Sequence, residues 1–283
     1  MSECRTYRGR IAPTPSGQLH IGHARTFHIA HERARSAAGK LVLRIEDLDS
    51  ARCKDEYSRQ MMADLEWLGI RWDEGPDCGG AFEPYVQSLR LEHYLKAWKR
   101  LEEAGVIYPS PHSRKDVELA LSAPHEGEGE PLFPVELRPV SVCRADAPSG
   151  MNWRFRVPDG ESVRFVDECA GVQEFVAGKD FGDFLVWRKD GWPSYELAVV
   201  VDDAEMQISE VVRGADLLLS TARQLLLYKA LGWTAPRFFH CPLVRDAEGR
   251  RLAKRSAGLS VAELREEGFS SEKVLALANT RMG

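Results

Sequence analysis

Short apolar stretches alternate with amphipathic segments through the first hundred residues. Residues 8–12 have the length and composition of a strand, and residues 13–17 carry two prolines and a glycine that end it. Residues 21–38 then repeat apolar positions at helical spacing, and residues 41–45 form a second, mostly apolar stretch typical of a buried strand. This order of strand, loop, helix and strand predicts a βαβ unit in a parallel sheet.

Later segments of the chain predict further elements of both kinds. Helices are predicted at residues 57–68, 86–104, 113–121, 217–231, 261–265 and 271–278. Strands are predicted at residues 153–157 and 162–166, paired as an antiparallel hairpin around residues 158–160, and at residues 184–187 and 197–201. Residues 122–150 are rich in proline and acidic residues and predict a surface loop. We therefore expect an α/β fold in which a small inserted α+β domain, residues 106–190, divides a parallel-sheet domain into residues 1–105 and 191–283.

The composition is that of an ordinary globular protein, and it excludes several classes of function. The 283 residues are 43% hydrophobic and 29% charged, and no apolar run is long enough to predict a membrane span. The first residues lack the apolar stretch of a secretory signal, and the six cysteines are irregularly spaced, so we expect a cytoplasmic protein with reduced thiols. The net charge of −5 excludes a globally basic nucleic-acid-binding protein but allows a local basic groove.

Two histidines mark the first candidate site, in the segment from Pro13 to His23. His20 and His23 lie three residues apart where the predicted helix begins, and the positive end of a helix binds phosphate well. Gly22 between them would let a nucleotide approach the backbone closely. An isolated pair of this kind is more often solvated than functional, but the surrounding eleven residues favour a phosphate site.

Two further clusters carry charge. Residues 44–49 place three carboxylates after a predicted strand, where they could bind an ammonium group or Mg²⁺, or could merely cap a turn. Residues 245–255 carry five basic and two acidic side chains, which could neutralise pyrophosphate or form a solvated loop. The glycine patterns of P-loop ATPases and dinucleotide-binding enzymes are absent, which disfavours both classes.

Together these clusters resemble the class I aminoacyl-tRNA synthetases. The segment from Pro13 to His23 matches the family's HIGH signature, and residues 251–255 resemble its KMSKS loop. In that loop Ala253 replaces a serine, while Lys254 retains the lysine that contacts ATP in the family. Within the class, the glutamyl-tRNA synthetases are most similar, through residues 10–17, 44–49, 68–76, 195–203 and 211–216.

The resemblance implies a set of site residues. It assigns L-glutamate binding to Arg10, Ile11, Ala12, Pro13, Thr14, Glu46, Tyr195 and Arg213. It assigns ATP binding to His20, Gly22, His23 and Lys254, with His20, His23 and Lys254 catalytic, and the KMSKS-like loop to Arg251, Leu252, Ala253, Lys254 and Arg255. A dicarboxylate substrate agrees with two arginines, since a guanidinium offers planar, bidentate hydrogen bonds.

Length separates the two branches of this family. Only 28 residues follow Arg255, so we expect no anticodon-binding domain, and the chain is similar to the shortened paralogues, the glutamyl-Q tRNA(Asp) synthetases. That resemblance implies activation of L-glutamate by ATP and Mg²⁺, then transfer of glutamate to the queuosine base in the anticodon of tRNA(Asp). Val199 also fits this branch. Two alternatives remain open: a truncated glutamyl-tRNA synthetase acting on a tRNA acceptor end, and an inactive protein that only binds tRNA or a nucleotide.

The chain departs from these paralogues at their common zinc site. The aligned positions hold Ser110, His112, Phe133 and Leu137, of which only His112 could bind a metal. We therefore predict no metal site and no zinc, and expect packing of Phe133 and Leu137 to replace it. We also expect a monomer that does not bind membranes.

Overall fold

A computed structural model describes residues 6–112, 132–139, 144–148, 150–243 and 260–280. The predicted helix at 113–121 and the KMSKS-like loop at 251–255 lie outside these residues.

The chain begins with the predicted βαβ unit. Strands β1 (Arg8–Ile11) and β2 (Lys40–Leu43) pair in parallel, with Arg10 opposite Val42, and helix α1 (Ile21–Ser36) connects them. The unit forms because apolar residues on one side of α1 are buried against strands that are themselves buried, at every residue of β1 and at all but the first residue of β2.

The remaining elements alternate between helices and strands. The helices are α2 (Asp55–Trp67), α3 (Leu91–Glu103), α4 (Tyr195–Glu205), α5 (Leu218–Leu231), α6 (Val261–Glu266) and α7 (Ser271–Thr280). The strands are β3 (Ile107–Ser110), β4 (Asn152–Phe155), β5 (Ser162–Asp167), β6 (Gly171–Val176), β7 (Phe184–Trp187), β8 (Glu210–Gly214) and β9 (Arg237–Cys241). Short 3₁₀ turns occupy Gln87–Leu89, Val135–Leu137 and Ala215–Leu217, so the first turn of the helix predicted at 86–104 is a separate 3₁₀ segment.

The strands form a parallel layer and an antiparallel one. Strands β8 and β9 pair in parallel, and β1 lies against β8, where the Ser209 backbone N–H donates to the Arg8 carbonyl at 2.8 Å. Strand β9 meets β5 in parallel at a single pair, and β5 pairs with β6 antiparallel. Strands β3, β4 and β7 form a separate antiparallel sheet. The predicted α/β fold with parallel strands is confirmed, while the division at residues 105 and 190 stays a prediction.

Two sequence predictions are wrong. Residues 197–201 are not a strand but part of helix α4, which begins after Ser194. The Ser194 hydroxyl accepts the Leu197 N–H at 3.4 Å, and every residue from Glu196 to Asp203 is buried. A helix buried on all sides shows a continuous apolar run like that of a central strand, so periodicity could not distinguish them.

The second error is the hairpin around residues 158–160. Strand β4 pairs with β3 and β7, whereas β5 pairs with β6. Beyond the turn, the Gly160 N–H donates to the carbonyl of Ala177, so the chain leaves the first sheet before β5 begins. The turn itself was recognised, but a turn signal does not reveal that the chain changes sheets there.

Two large apolar clusters form the core. One is built from β1, β2, α1, α2, α6 and α7, and the other from α3, α4, α5 and the antiparallel sheet. Among the described residues, no helix is both long and apolar enough to cross a membrane.

Candidate active site

A cleft of about 880 Å³ opens where the parallel strands β1 and β8 end. Its walls come from the loop after β1, the start of α1, the residues after β2, Tyr195 at the start of α4, and the end of β8. Ligands of open α/β sheets bind at the carboxyl ends of the strands, and this cleft occupies that position.

The loop after β1 is fixed to the segment that follows β2. The backbone N–H of Arg44 donates to Ile11, that of Glu46 to Pro13, and that of Lys54 to the carbonyl of Pro15, at 3.0 to 3.1 Å. These bonds hold Ala12, Pro13 and Thr14 against the cleft, which all three line.

The two histidines lie at the open end of α1. His20 is the N-cap residue, with φ −91° and ψ 155°, but its side chain makes no capping bond, and the first turn holds no acidic residue. Both His20 and His23 line the cleft with Gly22 between them. An uncapped helix start presents N–H groups and positive potential, so this wall suits a phosphate.

Arg10 and Glu46 belong to a buried network of charges. The Arg10 Nη1 donates to the carbonyl of Val212 at 3.0 Å, and its Nε lies 3.5 Å from Asp203. Arg44, which is fully buried, donates to Asp203 at 2.8 Å and to Glu46 at 3.0 Å. Burial raises the pKa of Glu46, while Arg44 and Arg10 oppose that rise. The role of Arg44 could not be predicted from its motif, since its buried partner Asp203 is distant in the chain.

Arg213 contributes the second guanidinium, from β8. Its Nε donates to His240 Nε2 at 3.1 Å, its Nη2 donates to Thr221 at 2.7 Å, and its Nη1 lies 3.5 Å from the Tyr195 hydroxyl. Tyr195 is 39% exposed, but partial desolvation raises the pKa of its phenol to about 12, so the phenol keeps its proton. Thr221 and His240 belong to none of the sequence motifs, so they were not among the predicted site residues.

The structure separates the three carboxylates of residues 44–49. Glu46 lines the cleft. Asp47 instead accepts the Ser88 N–H at 2.8 Å and hydroxyl at 2.6 Å, and Asp49 pairs with Arg52 at 2.5 Å. Asp47 and Asp49 therefore stabilise the local structure, which is the alternative that the sequence left open beside ligand binding.

Among the residues predicted to bind glutamate or ATP, two are not in the described cleft, for different reasons. Ile11 is fully buried in the apolar cluster of β1 and α1, and its carbonyl already accepts Arg44. Its side chain does not line the cleft, and its assignment to the glutamate pocket stays a prediction. Lys254 lies outside the described residues, and its role stays a prediction.

The positions aligned with the zinc ligands are filled by packing contacts. Phe133 packs on Tyr108 with Leu137 beside it, and the Arg154 guanidinium lies 4.2 Å from the Phe133 ring centre. Ser110 is buried and accepts from Arg154 at 3.3 Å.

Within the described ranges, one group of three side chains is placed so that it could bind a metal ion, and it lies away from these positions. It consists of His28, His31 and Glu32 on α1. None of the three lines the cleft.

Comparison with known proteins places this cleft in context. Residues 6–283 match the family described as class I tRNA synthetases (E and Q), catalytic domain. A protein of Symbiobacterium thermophilum named glutamyl-Q tRNA(Asp) synthetase is 48% identical over 94% of this chain and 84% of its own. A protein of the same name from Nitratidesulfovibrio vulgaris is 43% identical over 94% of this chain and 83% of its own.

A solved structure is also similar. It is a glutamate tRNA ligase from Elizabethkingia meningosepticum in complex with its amino acid, with a TM-score of 0.74 and 28% identity. The match covers 94% of this chain and 54% of that one.

Proposed function

The chain belongs to the class I tRNA synthetase family for glutamate and glutamine, and from this premise we propose that it activates L-glutamate with ATP and transfers the glutamyl group to the queuosine base in the anticodon of tRNA(Asp). As a member of this ligase family it is an enzyme with ATP as a substrate. The proposed setting is the cytoplasm, where charged tRNA is used, and the proposed active form is a monomer.

One observation supports glutamate as the substrate. Two guanidiniums, Arg10 and Arg213, project from β1 and β8 into a single cleft that also contains the open start of α1. A dicarboxylic amino acid needs two cationic partners, and the nucleotide that activates it needs a phosphate site beside them. The cleft supplies both, and Glu46 on its wall provides an acceptor for an ammonium group.

The first step is an in-line displacement at phosphorus. An oxygen of the glutamate α-carboxylate bonds to the α-phosphorus of ATP, and the bond from that phosphorus to the bridging oxygen breaks. The products are glutamyl-adenylate and pyrophosphate. His20 and His23 are proposed to hydrogen-bond the phosphates, and Lys254 to stabilise the departing pyrophosphate, so catalysis rests on position and charge.

The second step is an acyl transfer. A hydroxyl oxygen of the queuosine ring attacks the carbonyl carbon of the adenylate, and the bond to the phosphate oxygen breaks. AMP leaves, and the hydroxyl proton passes to a phosphate oxygen or to solvent. No covalent bond to the protein is formed in either step.

Mg²⁺ is proposed to enter with the nucleotide. This ion keeps several waters and is usually held by substrate phosphates with one or two carboxylates. The cleft fits that pattern, since Glu46 and Asp216 are the carboxylates on its described walls and the three-ligand group on α1 lies outside it.

Support for the acceptor comes from the relatives. The two proteins named glutamyl-Q tRNA(Asp) synthetase match this chain over more than four fifths of their length. The glutamate tRNA ligase structure supports a second candidate, transfer to a tRNA acceptor end.

Two assays test the proposal. Without any tRNA, the protein should catalyse glutamate-dependent exchange of pyrophosphate into ATP, and Lys254→Ala should reduce that exchange by orders of magnitude. It should then attach labelled glutamate to tRNA(Asp) that carries queuosine and not to the same tRNA lacking it. Labelling of tRNA(Glu) at its 3′ end would favour the second candidate, and no exchange at all would favour an inactive binding protein.

A further inference from the structure

A buried chain of three side chains lies behind the glutamate pocket. Asp167 ends β5, His240 lies in β9 and Arg213 in β8, where Arg213 and His240 are directly opposite in the parallel ladder. Their exposed fractions are 2%, 1% and 5%. The imidazole joins the other two, with Nδ1 at 2.6 Å from Asp167 Oδ2 and Nε2 at 3.1 Å from Arg213 Nε.

The hydrogen-bond chemistry of these groups permits one arrangement of protons. A guanidinium only donates, so His240 Nε2 must be the unprotonated acceptor of Arg213 Nε–H. The ring proton is therefore on Nδ1 and is donated to Asp167. The Thr221 oxygen accepts from Arg213 Nη2, and its hydroxyl lies 3.1 Å from both of its possible acceptors, this Nε2 and the Leu217 carbonyl.

The hydrogen bonds around Asp167 stabilise its ionised form. Besides the imidazole, it accepts the backbone N–H groups of Cys169, Ala170 and His240 at 2.7 to 3.2 Å. Hydrogen bonds to the charged form outweigh burial and lower the pKa of this carboxyl. An anion at this point fixes the imidazole tautomer, since a carboxylate can only accept from Nδ1.

The neutral imidazole has an electrostatic consequence for Arg213. Arg10 has the carboxylate of Asp203 only 3.5 Å from its Nε. Within the described ranges, Arg213 forms no ion pair, because His240 and Thr221 occupy its inner edge. Its positive charge, which also acts on the buried carboxylate of Glu196, is directed at the cleft through the Nη1 that faces Tyr195.

We propose that His240, held by Asp167 as the Nδ1-protonated tautomer, is a positioning residue that aims the Arg213 guanidinium at a carboxylate of the amino-acid substrate. The imidazole orients the guanidinium without neutralising it, which favours an anionic substrate group over a neutral amide. This inference rests on the proposed function, since it takes glutamate as the ligand of Arg213.

Two substitutions at His240 and one at Asp167 distinguish positioning from mere packing. In His240→Gln the amide oxygen lies near the former position of Nε2 and can still accept from Arg213. In His240→Asn the shorter amide can still donate to Asp167, but it no longer reaches Arg213. Asp167→Asn retains the backbone bonds through its oxygen but presents an NH₂ group to Nδ1, which moves the ring proton to Nε2, against Arg213. His93→Asn is the matched control, because His93 pairs with Glu205 through Nδ1 at 2.5 Å and does not line the cleft.

The measurement is steady-state pyrophosphate exchange, with KM determined separately for glutamate and for ATP. His240→Asn and Asp167→Asn should raise KM for glutamate by about 10- to 100-fold, the loss expected for a hydrogen bond to a charged group, and leave KM for ATP unchanged. His240→Gln should recover part of the affinity, and His93→Asn should match the parent. Equal KM values for glutamate in all variants, or parallel rises in both KM values, would overturn the proposal.

A second measurement is independent of activity. NMR of the ring nitrogens in the labelled protein near neutral pH should show His240 Nε2 unprotonated and Nδ1 protonated, with the reverse in Asp167→Asn. A protonated Nε2 in the parent protein would overturn the inference even if exchange is normal. A parent protein with the expected tautomer but no glutamate-dependent exchange would instead contradict the proposed function, and with it the role of Arg213 toward glutamate.

Discussion

At the level of single residues, the cleft depends on arginines whose partners differ. Arg44 is paired with carboxylates and stabilises the interior. Arg213 is instead hydrogen-bonded to an imidazole and a hydroxyl, and its guanidinium lines the cleft. Burying a charge is costly unless it is hydrogen-bonded, and both residues meet that condition in different ways. Sequence motifs identified the arginines, but the partners that decide their roles come from distant segments.

Acid should weaken the folded state through His240. Burial and Arg213 lower its pKa from 6.5 to about 4, despite the opposing effect of Asp167. The unfolded chain therefore binds a proton between these two values that the folded protein does not bind. The free energy of unfolding should fall as the pH falls through that window, by up to about 1.4 kcal/mol per pH unit from this group.

Urea unfolding at several pH values checks this. His240→Gln removes the titrating group, so its free energy of unfolding should depend less steeply on pH across the same window. The lowered pKa of Asp167 adds a loss in the same direction at still lower pH. Parallel pH profiles for the parent and His240→Gln would refute the expected contribution.

At the level of elements, the βαβ start and the terminal helices could be predicted because their periodicity is clear. The strand predicted at 197–201 failed because α4 is apolar on every side. The hairpin failed because local turn chemistry does not specify which strand the chain joins next. The histidines, Arg10 and Arg213 were recognised by motif, while His240 and Asp167 carry no motif and become visible only when β5, β9 and β8 are assembled.

Helix α6 should depend on its N-cap residue, Ser260. Ser260 accepts the Glu263 N–H and Glu263 accepts the Ser260 N–H, which completes a capping box. Ser260 also bridges to His20, so this cap supports the start of α1. Ser260→Ala should lower the free energy of unfolding by about 1 kcal/mol in urea titrations, whereas Ser50→Ala, at an exposed position, should leave it unchanged.

The contacts around Phe133 should replace a metal as a stabilising element. Phe133 is 5% exposed, and Phe133→Ala should cost about 3 kcal/mol in the free energy of unfolding, since it leaves a cavity against Tyr108. Val135→Ala, at a 53% exposed neighbour, should have little effect. Chelator treatment of the parent should not change its unfolding curve, and one equivalent of zinc in the purified protein would contradict this interpretation.

At the level of the whole molecule, the cleft joins the two apolar clusters. Its walls come from β1, α1 and β8, whose Ile11, Ile21 and Val212 belong to the first cluster, and from Tyr195 at the start of α4, a helix of the second cluster. A ligand that contacts both sides should therefore stabilise the molecule against global unfolding.

A non-hydrolysable glutamyl-adenylate analogue is suited to test this. At a hundred times its Kd, such a ligand should add about 2.7 kcal/mol to the free energy of unfolding, seen as a rise in Tm. The aspartyl analogue, shorter by one methylene, should raise Tm less at equal concentration. Equal rises in Tm with the two compounds would show that the cleft does not distinguish glutamate from the shorter aspartate.

The hydrogen bonds between β1 and Ser209, the residue before β8, also have a kinetic consequence for the nascent chain. The Arg8 backbone N–H donates to the Ser209 hydroxyl, 201 positions further along the sequence. At about 5–20 residues per second, translation would leave one edge of β1 unpaired for on the order of 10–40 s. Charged side chains discourage such an edge from joining another chain, and Arg8 and Arg10 both lie on this strand. We therefore expect Arg8 and Arg10, which are buried in the folded protein, to reduce association of the emerging polypeptide through this edge.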